Sequence, residues 1–166
     1  TSILKGNGFK LPQVFSNGVT IWDPRTDSLS LEHLLSLSDV SIVTQTAASL
    51  GVTPFVHAVD EISYFIFHNS PQHDFEKELI SARYQSTKAN IMSLDKLSDL
   101  SRVTNVSMIG FASAIDEIQN ELKKNNNLVF YSGPAMEGGE FKWMDIHHYR
   151  ASKGAAVKKI KERLNA

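Results

Sequence analysis

The chain has 166 residues and a formal net charge of −1, from 17 basic and 18 acidic residues. This length is typical of one domain with its own core, and the balanced charge argues against a nucleic-acid partner. Cysteine is absent, which excludes disulfides and thiolate chemistry. No apolar run approaches the length of a membrane span. We therefore expect a cytoplasmic protein with no nucleic-acid or membrane partner.

The first part of the chain predicts a β-hairpin. Two β-rich segments, 14–16 and 19–22, flank Asn17 and Gly18. Asn-Gly is the dipeptide most typical of a two-residue hairpin turn. The Asp-Pro-Arg segment at 23–25 then ends the second β-rich segment.

The middle of the chain predicts helices and strands from the spacing of its apolar residues. The first predicted helix is capped by Ser38 or Asp39 and ends at Gly51, and its buried residues are Val40, Val43, Ala47 and Leu50. The second starts at 69–71 and has Phe75, Leu79 and Ala82 on one side. The third starts with Ser113 and Asp116, and its buried residues are Ile115, Ile118 and Leu122. The predicted strands are 54–59 and 62–67, joined near Asp60-Glu61, then 103–111, 128–131 and 141–146, with a turn at 137–140.

The last predicted helix is capped by Ser152 and presents Val157, Ile160 and Leu164 to a core. Its basic run, 158–163, is interpreted as a solvent-facing side. Short connections between neighbouring strands favour an antiparallel sheet. The expected fold is therefore an α+β, two-layer domain with the helices on one face of the sheet.

Lys153 stands at an unusual place for a cation, the first turn of this helix. Helix N-termini carry partial positive charge and bind anions through free backbone N–H groups. Lys153 is therefore either a solvated surface lysine after an ordinary serine cap, or part of a phosphate-binding corner with Ser152 and Gly154.

Two segments resemble the Cof-type branch of the haloacid dehalogenase-like (HAD) hydrolases. The strand Phe141-Lys142-Trp143-Met144-Asp145-Ile146, followed by Ser152-Lys153-Gly154-Ala155-Ala156, is similar to the strand and the helix start that carry the family's third catalytic motif. The segment from Leu11 to Ile21 is similar to the family's strand–Asn-Gly–strand passage out of its core domain. The two matches stand in the family's order and bracket nearly the whole chain.

The resemblance implies a cap domain with short pieces of the catalytic core at both ends. Residues 1–22 would be a core-derived segment and hinge, 23–148 the cap, and 149–166 a core-derived helix. The implied activity is magnesium-dependent hydrolysis of a small phosphorylated metabolite through an aspartyl-phosphate. Lys153 would be catalytic, and Asn17, Gly18 and Ser152 would bind substrate.

The chain also departs from the family's pattern. It has no D-x-D motif for the nucleophile and no G-D-x-x-x-D after the lysine helix, and 95–99 has only the D-x-x-x-D spacing. We therefore expect Mg²⁺ in a full-length parent, none bound to this chain, and no metal ligand among its residues. A non-catalytic ligand-binding domain, or an oligomerisation module that pairs through an exposed apolar surface, remains the alternative.

The histidines do not predict a metal site. His147 and His148 are neighbours on a predicted strand, so they should point to opposite faces. We expect them to be surface residues, and His57 and His68 to be structural or solvated.

Overall fold

A computed structural model of the protein describes residues 8–60, 63–87, 89–98, 101–136 and 138–164. The chain divides into two compact units, unit 1 with residues 1–34 and 149–166, and unit 2 with residues 35–148. The predicted joint at Glu61, the strand start at Ile62, the acid at Asp99 and the first seven residues of the predicted core-derived segment lie outside the described residues.

The elements of the described residues are short strands and a few helices. The strands are β1 Gln13–Phe15, β2 Thr20–Asp23, β3 Ser28–Leu31, β4 Phe55–Val59, β5 Tyr64–His68, β6 Asn90–Ser93, β7 Arg102–Phe111, β8 Leu128–Ala135 and β9 Gly138–His148. The helices are α1 Leu37–Ser49, α2 Asp74–Leu79, α3 Ala112–Leu122 and α4 Lys153–Leu164, with a π-helical segment at Ile80–Tyr84 after α2. None of these helices is long and apolar enough to cross a bilayer.

Unit 1 contains a three-stranded antiparallel sheet in the order β1-β2-β3. The predicted hairpin is present, but Phe15 pairs with Thr20, so its loop consists of the four residues 16–19 and not of Asn17 and Gly18 alone. Strand β3 was not predicted, because its Ser-Leu-Ser-Leu sequence has little β propensity of its own. This segment is a strand because it pairs with β2, whose residues Ile21 and Trp22 are buried.

Unit 2 contains a six-stranded sheet in the order β6-β5-β4-β7-β9-β8. Every neighbouring pair is antiparallel except β5 and β6, which are parallel. The predicted strands at 54–59, 103–111 and 128–131 are confirmed with small shifts of their ends. Strand β6 was not predicted, since it lies in the least regular part of the sequence.

The core of unit 2 lies between one face of this sheet and helices α1 and α3. Both helices bury the predicted stripes: Val40, Val43 and Ala47 in α1, and Ile115, Ile118 and Leu122 in α3. The strands contribute Val56, Val106, Met108, Met144 and Ile146 to the same cluster. This is the expected α+β arrangement with a predominantly antiparallel sheet.

Several predicted helix starts are wrong. Helix α1 is capped by Ser36, which accepts a hydrogen bond from the Asp39 amide at 3.1 Å. The Asp39 side chain is buried and accepts from Asn125 at 2.7 Å. Helix α3 has no side-chain cap, because its N-cap residue is Phe111, and Asp116 pairs with Lys142 at 2.6 Å.

Other differences concern the second predicted helix and the hairpin of β8 and β9. Ala82, predicted on the buried side of that helix, lies in the π-helical segment and is exposed. Helix α2 begins at Asp74 rather than at 69–71. The glycines at 138 and 139 belong to β9 and not to a turn. A long antiparallel ladder can include such residues because its pairing partners supply the hydrogen bonds.

Helix α4 begins as predicted, but a different residue is buried. The Ser152 hydroxyl accepts a hydrogen bond from the Ala155 amide at 3.0 Å, which confirms the cap. Val157 is 51% exposed, whereas Ala156 is only 4% exposed. The basic run is also not wholly solvent-facing, since Lys159 and Arg163 both bind Glu32.

Candidate active site

The Asn-Gly turn of unit 1 has the left-handed backbone that its sequence predicts. Asn17 has φ 52° and ψ 27°, and Gly18 has φ 103°. The Val19 amide donates to the Ser16 carbonyl at 3.1 Å and closes the turn. These values are those of a type I′ turn, for which asparagine and glycine are the favoured residues.

The turn packs directly against the start of α4, and glycine makes this contact possible. A Cβ atom at Gly18 would lie 2.4 Å from the Ser152 carbonyl oxygen. The missing side chain lets the two backbones touch. The same Ser152 carbonyl accepts the Ala156 amide at 3.0 Å, as the first hydrogen bond of the helix.

Lys153 is the first residue of α4 and its side chain is exposed. Within the described residues, no carboxylate pairs with its ammonium group. A cation in the first helical turn is unfavourable by a few tenths of a kcal/mol to about 1 kcal/mol. An anion bound at this helix start would remove that penalty and would accept hydrogen bonds from the free N–H groups.

Asn17 and Lys153 line the same cavity, although they are far apart in sequence. The cavity has a volume of about 470 Å³, and its lining is Val14, Phe15, Ser16, Asn17, Lys153 and Val157. Of the four predicted site residues, these two share the cavity, whereas Gly18 and Ser152 form the backbone contact beside them. Ser16 was not predicted as a site residue, although its position next to Asn17 and Gly18 could have indicated it.

The polar groups of this cavity suit an anionic ligand. They comprise a hydroxyl, an amide and an ammonium group, against an apolar wall. Ammonium is a compact point charge that binds phosphate well.

The far end of α4 is held by ion pairs inside unit 1. Arg163 lies 3.0 Å from the Glu32 carboxylate, and Lys159 also donates to it. Burial raises the pKa of Glu32, but the hydrogen bond from Lys159 and the two positive charges outweigh it, so the pKa lies below its usual value. These contacts fix the direction of α4 and therefore the position of Lys153 at its start.

The described residues contain no group of three acidic or histidine side chains that could hold a metal ion. His147 and His148 do point to opposite faces of the sheet, but His147 is 1% exposed, so its predicted surface position is wrong. His57 is buried with both ring nitrogens hydrogen-bonded, and is structural as expected.

Comparison with known proteins gives the chain a family. Its fold is similar to a haloacid dehalogenase-like hydrolase from B. subtilis, with 16% identity and a TM-score of 0.69 over 99% of this chain. It is also similar to a HAD subclass IIB sugar phosphatase, with 11% identity and a TM-score of 0.65 over 93% of this chain. A HAD phosphatase from Bacteroides thetaiotaomicron matches with 9% identity and a TM-score of 0.64 over 90% of this chain.

The chain spans 62%, 53% and 50% of those three proteins, respectively. No curated protein matches it significantly. The family model for haloacid dehalogenase-like hydrolases matches residues 1–166. The chain therefore belongs to the haloacid dehalogenase-like hydrolases.

Proposed function

We propose that this chain is the cap, with adjoining pieces of the catalytic core, of a magnesium-dependent Cof-type phosphatase. Its substrate is a small phosphate ester, which is cleaved through an aspartyl-phosphate. The observation that carries this proposal is the cavity shared by Lys153 and Asn17, in a chain of the HAD hydrolase family. The cytoplasmic location and self-association through apolar surface stay predictions.

Lys153 binds the phosphoryl group in this proposal. Phosphoryl transfer develops charge on the equatorial oxygens, and catalysis consists mainly of positioning and charge stabilisation. The Lys153 ammonium and the N–H groups at the start of α4 neutralise the phosphoryl oxygens. The Asn17 amide and the Ser16 hydroxyl orient the ester through hydrogen bonds.

The described residues do not fit a magnesium site, because they lack a suitable set of carboxylates. The proposal therefore places the metal ligands and the aspartate nucleophile in other parts of a longer protein. By itself, the 166-residue chain should not hydrolyse an aryl phosphate. The family match favours a hydrolase over a non-catalytic role.

Phosphate binding to the 166-residue chain tests the assignment of Lys153. Inorganic phosphate should shift the NMR signals of residues 16–17 and 153–155 in a saturable way, and Lys153→Ala should weaken binding about tenfold. Lys158→Ala is the matched control, because Lys158 is an exposed lysine on the same helix. Equal weakening by both variants, or no saturable shift at these residues, would reject the site.

A further inference from the structure

The core face of the six-stranded sheet has an open cavity near its β6 edge. Helices α1 and α3 pack on β7, and α3 also packs on β8 and β9. Strand β5 contacts a short 3₁₀ turn, Leu94–Lys96. The cavity lies over strands β4, β5 and β6 and has a volume of about 330 Å³. Small-molecule sites in proteins have volumes of about 300–1,000 Å³, so this cavity is large enough for a small ligand.

The floor of this cavity, which we call the β5–β6 pocket, is apolar. Ala58 pairs with Phe65 across β4 and β5, and Phe67 pairs with Met92 across β5 and β6. All four residues line the pocket and belong to the core cluster or pack against it. The rings of Phe65 and Phe67 have centroids 6.0 Å apart and planes inclined by 21°. An aromatic or aliphatic group on this floor would therefore be removed from water.

Two exposed cations, Lys96 and Arg102, stand at the rim of the β5–β6 pocket. Within the described residues, no carboxylate forms an ion pair with Arg102. Lys96 lies 3.8 Å from Asp95, and both side chains are mostly exposed. Exposed ion pairs of this kind contribute little free energy. Both cations can therefore bind an anion that enters the pocket.

The other polar groups of the rim are two serines and one carboxylate. The Ser101 hydroxyl accepts a hydrogen bond from the Ser98 amide at 3.1 Å, and the two hydroxyls are 3.5 Å apart. Whichever hydroxyl donates to the other, the second O–H can donate to a ligand. Asp60 already accepts a hydrogen bond from the Ser63 amide at 2.6 Å. The two cations outnumber this carboxylate in the lining, so the rim favours a negatively charged group.

We propose that the β5–β6 pocket binds a small amphiphilic carboxylate, such as an arylacetate. The ring of the ligand lies on Phe65 and Phe67, and its carboxylate accepts hydrogen bonds from Arg102 and Lys96 at the rim. A guanidinium group matches a carboxylate with two parallel N–H donors. An apolar floor with a few polar groups at its edge is the usual composition of a small-molecule site. The pocket belongs to unit 2, and this proposal does not depend on phosphatase activity.

NMR titration of the 166-residue chain with phenylacetate tests the site. Saturable shifts should appear in the amide signals of residues 58–60, 65–67 and 101–102. Phenylacetamide has nearly the same shape without the charge, and acetate has the charge without the ring. Each of these two compounds should bind at least about fivefold more weakly than phenylacetate, because each lacks one of the two groups that the pocket recognises.

Charge-removing variants test the rim. Arg102→Gln should weaken phenylacetate binding about tenfold, and Lys96→Gln should weaken it severalfold. Neither variant should change the weaker binding of phenylacetamide. Lys124→Gln is the matched control, because Lys124 is an exposed lysine after α3 that does not line the pocket. Its affinity for phenylacetate should equal that of the parent chain.

Each other outcome rejects the proposal. Absence of saturable shifts at these residues would show that the pocket binds no arylacetate. Equal affinity for phenylacetate and phenylacetamide would show that the rim does not recognise charge, and this comparison needs no variant. Unchanged affinity in both Arg102→Gln and Lys96→Gln would place binding elsewhere. Stronger binding of 2-phenylethylammonium than of phenylacetate would assign the pocket to cations. Phosphate binding at Lys153 is measured separately, so failure there leaves this result unaffected.

Discussion

The α-carbon of Gly18 lies so close to the backbone of Ser152 that a Cβ atom would be 2.4 Å from its carbonyl oxygen. Gly18 also has φ 103°, a value that residues with side chains rarely adopt. Two separate requirements, space and backbone conformation, thus demand glycine at this position. The contact joins the turn that carries Asn17 to the helix that carries Lys153.

Gly18→Ala should therefore destabilise unit 1. Backbone strain at a positive φ costs on the order of 1–3 kcal/mol, and relief of the clash adds about 1–3 kcal/mol. Denaturant unfolding should show a loss of roughly 2–5 kcal/mol. Gly51→Ala is the control, because Gly51 has φ 69° but open space around its Cβ position; it should lose only about 1 kcal/mol. Equal losses in the two variants would contradict the role of the close contact.

Glu76 is a second structural position, with a fully buried carboxylate that accepts four hydrogen bonds. The donors are the amide and hydroxyl of Thr53, both at 2.8 Å, and the amides of Gln72 and His73 at 2.6 and 3.0 Å. Replacing a carboxylate oxygen by an NH₂ group leaves donors facing a donor. Glu76→Gln should cost about 3 kcal/mol in the free energy of unfolding.

The exposed Glu78 in the same helix gives the matched comparison. Glu78→Gln should change the free energy of unfolding by less than about 0.5 kcal/mol, as is usual for surface positions. If the two substitutions have similar effects, the four hydrogen bonds to Glu76 do not contribute to stability as proposed.

The sequence predicted the elements whose own apolar spacing is regular, and missed those that depend on a partner. Helix α3 buries Ile115 and Ile118 as its periodicity requires. Strands β3 and β6 have weak β propensity and become strands by pairing with β2 and β5. Tertiary contacts override local propensity in such cases.

The candidate site also has parts that the local sequence predicts and parts that depend on tertiary contacts. The motif around Lys153 and the Asn-Gly turn could be recognised locally, and the structure places Asn17 and Lys153 on one cavity. The pairing of Ser107 with Asp145 across β7 and β9 could not be predicted, because the sequence alone does not determine the register of the two strands. The role of Glu76 could not be predicted either, because two of its donors belong to Thr53, in a distant segment.

Two buried histidines predict a dependence of stability on pH. Burial lowers the pKa of His57 to about 3, with a further contribution from the charge of His147, and lowers that of His147 to about 4. The unfolded chain takes up these protons near pH 6.5, whereas the folded protein does so only near the lowered values. Stability is therefore fully present above pH 6.5 and is lost as the pH falls from there toward 4 and 3.

Urea unfolding of the chain between pH 6.5 and 5 should show this loss, with a slope that approaches roughly 1.4 kcal/mol per pH unit for each histidine. His57→Gln retains hydrogen-bonding capacity but does not titrate, so it should reduce the slope. Stability that is constant or increases as the pH falls through this window would show that the two histidines are not buried in the neutral form.

The remaining prediction concerns Lys153 in the full-length phosphatase that we propose. Lys153 is exposed, and no carboxylate pairs with it among the described residues. Lys153→Ala should therefore leave the melting temperature almost unchanged. Turnover should fall by about 10²–10³-fold, because a positioned charge beside a developing anion contributes several kcal/mol to the transition state.

Lys153→Arg should restore little of this turnover, since a planar guanidinium does not replace a compact ammonium group in a fixed site. Lys158→Ala, on the exposed side of the same helix, should retain both turnover and stability. Steady-state kinetics and thermal melts on the three variants distinguish a catalytic role of Lys153 from a structural one. A large fall in melting temperature for Lys153→Ala with unchanged turnover would make Lys153 a structural residue, and the assignment of the active site would be wrong.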